Sequence, residues 1–314
     1  MAKHISFVVP VFNEQDNIHE FYRRMTLIME PLPYTYDLTF VDDGSKDRTP
    51  LLLSELAQQD DRVQAYLLSR NFGHQLALTC GLDYATGDAV ITMDGDLQHP
   101  PELVPELLKL WENGFEIVQT VRKSTEDASC FKNITSTVYY WLINKMSKVH
   151  ITPGGSDFRL MARTAVDAFK LYRERARFIR GMINNMGFNL TTVEFVAPPR
   201  FAGTSKYNLH KMLHFALDGI TAFSNVPLRW AFYIGLIFGL GSIFVLWHVL
   251  YIKYFTVDAV PGWATITASV LFLGGIQLVG IGIVGEYIGR IFEEVKQRPL
   301  YLVGRHLKKN TAGK

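Results

Sequence analysis

The sequence has little cysteine: among 314 residues only Cys80 and Cys130 occur, far apart and outside any CxxC spacing. That excludes a disulfide framework and a cysteine-built zinc site. Neither GxGxxG nor GxxxxGK[ST] is present, so the glycine-rich loops that cradle phosphates in dinucleotide-binding and P-loop proteins are excluded. The opening "MAKHISFVVPVFNE" has no signal-peptide pattern. Its apolar run is short, β-branched, broken by Pro10 and closed by Asn13-Glu14, which reads as a first strand. Charge is missing in two places: Trp230–Ile252 and Ala259–Gly285 contain no Asp, Glu, Lys or Arg. Each run supplies the roughly 20 apolar residues needed to cross a bilayer. Two in succession argue against buried core helices.

Where charge is present, it is segregated. Residues 1–121 hold 8 Lys/Arg against 19 Asp/Glu, residues 122–229 hold 16 against 7, and residues 230–314 hold 8 against 4. The acidic first third suits a metal site or plain solubility. The basic middle suits an anionic partner, whether phosphate, nucleic acid or an anionic membrane. Lys/Arg residues flank the uncharged runs on both outer sides, while the connector "KYFTVDAVPG" has one Lys and one Asp. By the positive-inside rule both flanks are expected on the cytoplasmic side of a membrane, with the connector outside.

Up to residue 121 the pattern alternates strand and helix. Strands are expected at 4–12, 36–43, 63–69, 88–94 and 115–121, helices at 14–30, 47–59, 74–85 and 101–113. Strands apolar on both faces, separated by helices, predict a mainly parallel sheet covered on two sides. Ligands of such sheets bind beyond the carboxyl ends of the strands. Acids fall there: Asp42 and Asp43 after the second strand, Asp94 after the fourth. Further on, a helix with an aromatic face is expected at 131–148, a short strand at 157–163, and a polar loop at 200–208. The segment division is 1–205, an α/β domain; 206–228, an amphipathic helix that could lie on a membrane surface; 229–253 and 264–285, membrane helices joined by 254–263; and 286–314, a basic tail.

The stretch "VITMDGDLQHPPE" (90–102) ends an apolar run in two acids. Side chains at i and i+2 of an extended segment point the same way, so Asp94 and Asp96 would converge and repel unless a cation sits between them. Hard oxygen ligands suit Mg²⁺ or Mn²⁺, which keep positions open for substrate phosphates. Gln98 could add a third oxygen. With no glycine-rich phosphate loop, a diphosphate would be held by metal and side chains, which favours a nucleotide-sugar donor over ATP hydrolysis.

Taken together, "VVPVFNE" (8–14), "VDDGS" (41–45), "RNFGH" (70–74), "DGDLQHPPE" (94–102), "SDFRLMAR" (156–163) and "RFAGTSKYN" (200–208) resemble the inverting family 2 glycosyltransferases of GT-A fold. More narrowly the chain resembles the polyprenyl-phosphate glycosyltransferases, and the tail "FLGGIQLVGIGIVGEYIGRIFEEVKQRPLY" (272–301) resembles the bacterial and phage bactoprenol type. The resemblance implies a GT-A, Rossmann-like α/β domain with a two-helix transmembrane hairpin. It implies a hexose, with glucose from UDP-glucose favoured, moved to undecaprenyl phosphate, with GDP-mannose or a UDP-aminosugar as other donors. It also implies a homotetramer and no nucleic-acid partner. Carried over by position, Pro10, Asn13 and Glu14 would border the nucleotide and Asp42 its base or ribose. Asp94, Asp96 and Gln98 would hold the metal and diphosphate, while Arg200, Ser205 and Lys206 would close over the phosphates. Asp157 would lie near the sugar or acceptor, either as a reacting group or as a structural acid paired with Arg159 or another arginine. Arg122 would meet the lipid phosphate. A processive polysaccharide synthase would carry QxxRW, which "VPLRW" (226–230) lacks. A sugar-nucleotide-binding scaffold would have no use for acceptor residues.

Overall fold

The computed structural model describes residues 2–123, 154–175, 177–196, 226–255 and 262–309. The helix expected at 131–148, the loop 200–208 with Arg200, Ser205 and Lys206, and nearly all of the interface segment 206–228 lie outside the described residues.

Strands β1 (His4–Val11), β2 (Thr35–Asp42), β3 (Val63–Leu68) and β4 (Ala89–Thr92) alternate with α1 (Ile18–Met29), α2 (Thr49–Gln59) and α3 (His74–Tyr84). They are followed by α4 (Val104–Glu112), β5 (Ile117–Arg122), β6 (Gly155–Ala162), α5 (Arg163–Leu171), α6 (Ile179–Asn185), β7 (Leu190–Phe195), α7 (Val226–Phe255), α8 (Trp263–Val295) and β8 (Val303–Leu307). Two compact units result. One contains the described residues up to 196 together with 298–309, and the other contains α7 and α8.

The first unit is built on one eight-stranded sheet of order β7-β5-β6-β4-β1-β2-β3-β8. β1 pairs parallel with β2 and β4, β2 with β3, and β5 with β7. β1 is buried from Ile5 to Val11, the two-sided burial expected of a central parallel strand. α1 buries Ile18, Phe21, Met25 and Met29, a helical stripe at three- and four-residue spacing. On the other side α3 lies close on β1, because Gly81 has no side chain; a Cβ there would overlap Val8 Cγ1.

Two strands break the parallel rule, and the sequence pattern shows neither placement. β6 runs antiparallel between β4 and β5, with Thr92 opposite Arg159 and Gln119 opposite Arg159. The expected short strand at 157–163 is thus an eight-residue, wholly buried one, and it carries Asp157 to the end of β4. β8 pairs antiparallel with the outer edge of β3, Ala65 opposite Leu307 and Leu68 opposite Val303. Part of the segment read as a basic tail is therefore an edge strand, which covers hydrogen-bonding groups that β3 would otherwise expose. The Tyr66 ring lies stacked between Tyr84 and His306, at 4.2 and 4.3 Å. The Tyr301 hydroxyl donates to Asp83 Oδ2 at 2.8 Å.

In the second unit α7 has 30 residues and α8 has 33, lengths of about 45 and 50 Å at 1.5 Å per residue. Among the described residues one segment, Phe272–Val295, is long and apolar enough to cross a membrane by length and composition. A shorter apolar stretch, Leu228–Phe238, lies within α7.

Candidate active site

The loops that follow β1, β2 and β4 leave the sheet at one end, as the parallel pairing requires. After β1 the backbone turns through Asn13, a non-glycine residue at φ 55°. The turn is held by the β2 loop: Asn13 N donates to Ser45 Oγ at 2.8 Å, Lys46 N donates to Asn13 Oδ1 at 2.9 Å, and Glu14 N donates to Thr49 Oγ1 at 2.9 Å. Pro10 is buried at the end of β1. Asp42, 2% exposed, accepts from Ser45 N at 3.3 Å. Burial raises its carboxyl pKa, with Ser45 hydrogen bonds offsetting part of the rise. Asp43 accepts from Phe72 N at 2.7 Å and Gly73 N at 2.9 Å, which draws in the loop that begins α3. The two loops meet at Gly44, φ 73°, where an added Cβ would lie 2.6 Å from the Arg70 carbonyl carbon.

The β4 loop corrects the sequence argument. The strand stops at Thr92, Gly95 and Asp96 form a turn, and Leu97 has φ 60°. Strand alternation therefore does not set the directions of Asp94 and Asp96; the turn does. A non-glycine residue in the left-handed region costs on the order of 1–3 kcal/mol and persists where surroundings over-determine it. Here His99 supplies that constraint. Asp94 N donates to His99 Nδ1 at 3.0 Å, so Nδ1 is the acceptor nitrogen and the ring proton resides on Nε2, which meets Ser156 Oγ at 2.7 Å. The ring is 7% exposed and stacks on Phe158 at 5.4 Å. One imidazole thus ties the backbone of the β4 loop to β6. Gln98 N donates to Asp96 Oδ1 at 3.1 Å, and Asp94, Asp96 and Gln98 are all half-buried at the loop surface.

Asp157, 7% exposed, is surrounded by cations. Arg159 Nη2 lies 2.6 Å from Oδ1, Arg180 Nη2 3.1 Å from Oδ2, and His74 Nε2 3.5 Å from Oδ2. Burial alone would raise the carboxyl pKa; Arg180, His74 and Arg159 outweigh it and hold the group well below the usual carboxylate range. His74 also approaches Asp94 Oδ1 at 3.6 Å, so one imidazole bridges the β4 loop and Asp157. Its side chain is 41% accessible. Burial lowers its pKa, but Asp157 and Asp94 override that and raise it to about 9. Arg122 stands exposed at the end of β5, its backbone N donating to Gly154 O at 3.0 Å.

A pH dependence follows. A histidine with a raised pKa contributes stability that is fully present below its unfolded value, about 6.5, and lost as pH rises through its folded value, here about 9. In metal-free protein, His74→Gln is expected to be less stable than the parent below pH 6.5, with the gap closing towards pH 9 to 10. Urea midpoints across that range measure it; a constant gap would show that His74 is uncharged or contributes by packing alone.

The description "Glycosyl transferase family 2" matches residues 6–169. The chain belongs to glycosyl transferase family 2. This family 2 chain is 44% identical over 305 residues to the uncharacterized glycosyltransferase YkcC of Bacillus subtilis, covering 96% of the chain and 94% of that protein. It is 42% identical over 300 residues to the SfII prophage-derived bactoprenol glucosyl transferase of Shigella flexneri, covering 95% of the chain and 97% of that protein. Mannosyl-3-phosphoglycerate synthase from Rubrobacter xylanophilus is similar in fold, with TM-score 0.50 at 16% identity, over 70% of this chain and 72% of that one. The mainly parallel GT-A-like sheet expected from the sequence is thus found.

The paired acids make the β4 loop the place to test for a divalent ion. Among the described residues no group of three or more His, Cys, Asp or Glu is placed to hold one. Two carboxylates and the Gln98 amide nevertheless fit an oxygen-seeking ion that leaves most of its coordination sphere to water and phosphate. The donor set fits Mg²⁺ or Mn²⁺ and is unsuited to structural zinc. Sequence reading brought out Asp94, Asp96 and Asp157. His74 and His99 stand beside motifs in the sequence, where a histidine can touch a ligand; nothing there singles out Ser156 or Arg180. The signals for the histidines were their places, directly after Gly73 and five residues after Asp94. Nothing in the local pattern pointed to Arg180.

Proposed function

We propose that this chain is an inverting glucosyltransferase that moves glucose from UDP-glucose to undecaprenyl phosphate at a membrane surface. The observation that carries the reading is the extent of the likeness to bactoprenol glucosyl transferases: 42% identity over 95% of the chain embraces the sheet unit and both long helices.

The chemistry of the residues supports it. Held by Asp94, Asp96 and Gln98, Mg²⁺ or Mn²⁺ would neutralise charge on the departing diphosphate. Pro10, Asn13, Glu14 and Asp42 form the wall for the nucleoside, and Arg200, Ser205 and Lys206 are the cations and hydroxyl proposed for its phosphates. The acceptor phosphomonoester has a second pKa of about 6, so it is mostly dianionic at neutral pH. One of its oxygens bonds to the anomeric carbon as the bond to the diphosphate breaks; UDP leaves with the electron pair, and no proton need be removed from the nucleophile. Attack from the opposite face inverts the centre through an oxocarbenium-like state. A carboxylate as acidic as Asp157 is a poor base, and this reaction asks for none. Its role is positional.

The fold also bears on the membrane. β8 follows α8 in sequence yet pairs with β3, in the same sheet as β1. An odd number of crossings between β7 and β8 would separate them across the bilayer. If Phe272–Val295 is one crossing, a second is required, and the uncharged run within α7 has the length to supply it. This supports a two-helix hairpin with the sheet unit and the segment after α8 on one side.

The test is a panel of radiolabelled UDP-glucose, GDP-mannose and UDP-N-acetylglucosamine offered to the detergent-solubilised chain with undecaprenyl phosphate. Solvent-extractable label is expected from UDP-glucose with Mn²⁺ or Mg²⁺ present. Label from GDP-mannose alone would reassign the donor; none from any donor would overturn the reading.

A further inference from the structure

We infer that Arg180 is the residue that receives the acceptor phosphate, and that it does so by leaving Asp157. The inference rests on the polyprenyl-phosphate reading just given and names the anchor within it. Asp157 carries one negative charge, yet two guanidiniums and an imidazole face it at 2.6, 3.1 and 3.5 Å. They differ in access. The Arg159 side chain is 1% exposed, and the Nη2 that faces Asp157 also donates to the Ser156 carbonyl at 2.9 Å. The Arg180 side chain is 33% exposed, so it is the guanidinium of the cluster that an anion arriving from solvent can touch.

Arg180 is also aimed. It reaches Asp157 through Nε to Oδ1 at 3.2 Å and Nη2 to Oδ2 at 3.1 Å, a two-pronged contact. Its backbone is fixed one residue away, where Ile179 N donates to Gln75 Oε1 at 3.2 Å, and Gln75 follows His74 on α3. The same fork fits a phosphate, and a dianion attracts a guanidinium more strongly than a carboxylate does. When Arg180 turns to the phosphate, Asp157 keeps Arg159 and His74, so no buried charge is left alone. His74 lies between Asp157 and Asp94, which places a phosphate held at Arg180 beside the donor loop, where attack on the sugar needs it. Arg122 is exposed at the end of β5, and no described contact ties it to this cluster.

Four full-length proteins in detergent decide it: the parent, Arg180→Gln, Arg180→Lys and, for comparison, Arg122→Gln. KM is measured separately for undecaprenyl phosphate and UDP-glucose, and dodecyl phosphate is titrated calorimetrically into protein loaded with Mn²⁺ and UDP. Loss of a charged, forked contact is expected to raise the acceptor KM of Arg180→Gln by at least about tenfold. The donor KM should stay within about twofold of the parent, and dodecyl phosphate binding should weaken in parallel. Arg180→Lys keeps the charge and loses the fork, so it should show the same shift, smaller, at an unchanged unfolding temperature; it decides the matter if the glutamine variant does not fold. An unchanged acceptor KM in Arg180→Gln, a donor KM that rises equally, or the larger effect falling on Arg122→Gln would overturn the assignment. Parent protein that binds dodecyl phosphate through Arg180 but transfers sugar to no polyprenyl phosphate would sink the enzymatic reading and leave the anion site standing. Parent protein that neither binds nor transfers would sink both.

Discussion

Asp96→Asn is expected to lower transfer by about 10²–10³-fold or more, the scale on which enzymes lose rate when a group that stabilises transition-state charge is removed. The substitution is nearly isosteric, and the residue is half-buried in a surface loop. The amide oxygen can still accept from Gln98 N, which Asp96 Oδ1 now does at 3.1 Å, so the turn should survive. What changes is a full negative charge beside Asp94. The loss should therefore appear with an unfolding temperature close to the parent's, and chelation of the parent should reproduce it. Asp94→Asn is expected to lose activity similarly, but with a second effect: without the Asp94 charge, one of the two carboxylates that raise His74 is gone. Steady-state transfer from UDP-glucose, with and without chelator, measures both. Full turnover by Asp96→Asn, or by the parent in chelator, would refute a metal at this loop.

The parallel half of the fold was legible because its signal is local. Strands such as "SFVVPV" are apolar on both faces, and each is followed within a few residues by a helical stripe like that of α1. Acids placed just after such strands fall at the ligand-binding end of the sheet whatever the strand order. The order itself is another matter. β6 sits between β4 and β5 although it follows both in sequence, and β8 finds β3 across more than 230 residues, Leu68 opposite Val303. Pairings at such distance leave no periodicity in the segments they join. "VGRHL" has neither alternation nor an apolar run, and only the vacant edge of β3 makes it a strand. The DxD spacing pointed to Asp94 and Asp96 by an argument that does not hold, since a turn with Leu97 at positive φ replaces the extended segment. What holds the site in shape, the contact of His99 with Ser156, was hidden because a histidine beside a motif does not announce so distant a partner. Their bond spans 57 positions.

Asp157→Asn should be the most destabilising change at the site, because it alters a buried charge balance. Arg159 is 1% exposed and finds its negative partner in Asp157 at 2.6 Å, while its Nε and Nη1 are buried without a hydrogen-bond partner among the described residues. Removing one member of a buried ion pair costs about 3–5 kcal/mol, since the remaining charge is left uncompensated. The effect should depend on pH in a definite direction. A carboxyl whose folded pKa is depressed contributes stability that is present above its unfolded value, about 3.9, and lost as pH falls through the folded value. The deficit of Asp157→Asn should thus be full at neutral pH and shrink only in strong acid. Pairing it with Arg159→Met separates structure from function. Replacing both charges by a neutral, well-packed pair is often neutral for stability, so the double variant should recover much of the urea midpoint. Its transfer rate should stay low, because Arg180 would lack the carboxylate that aims it before the phosphate arrives, and His74 the one that holds it beside the donor loop. A double variant that regains stability and rate together would show that Asp157 serves only to neutralise Arg159.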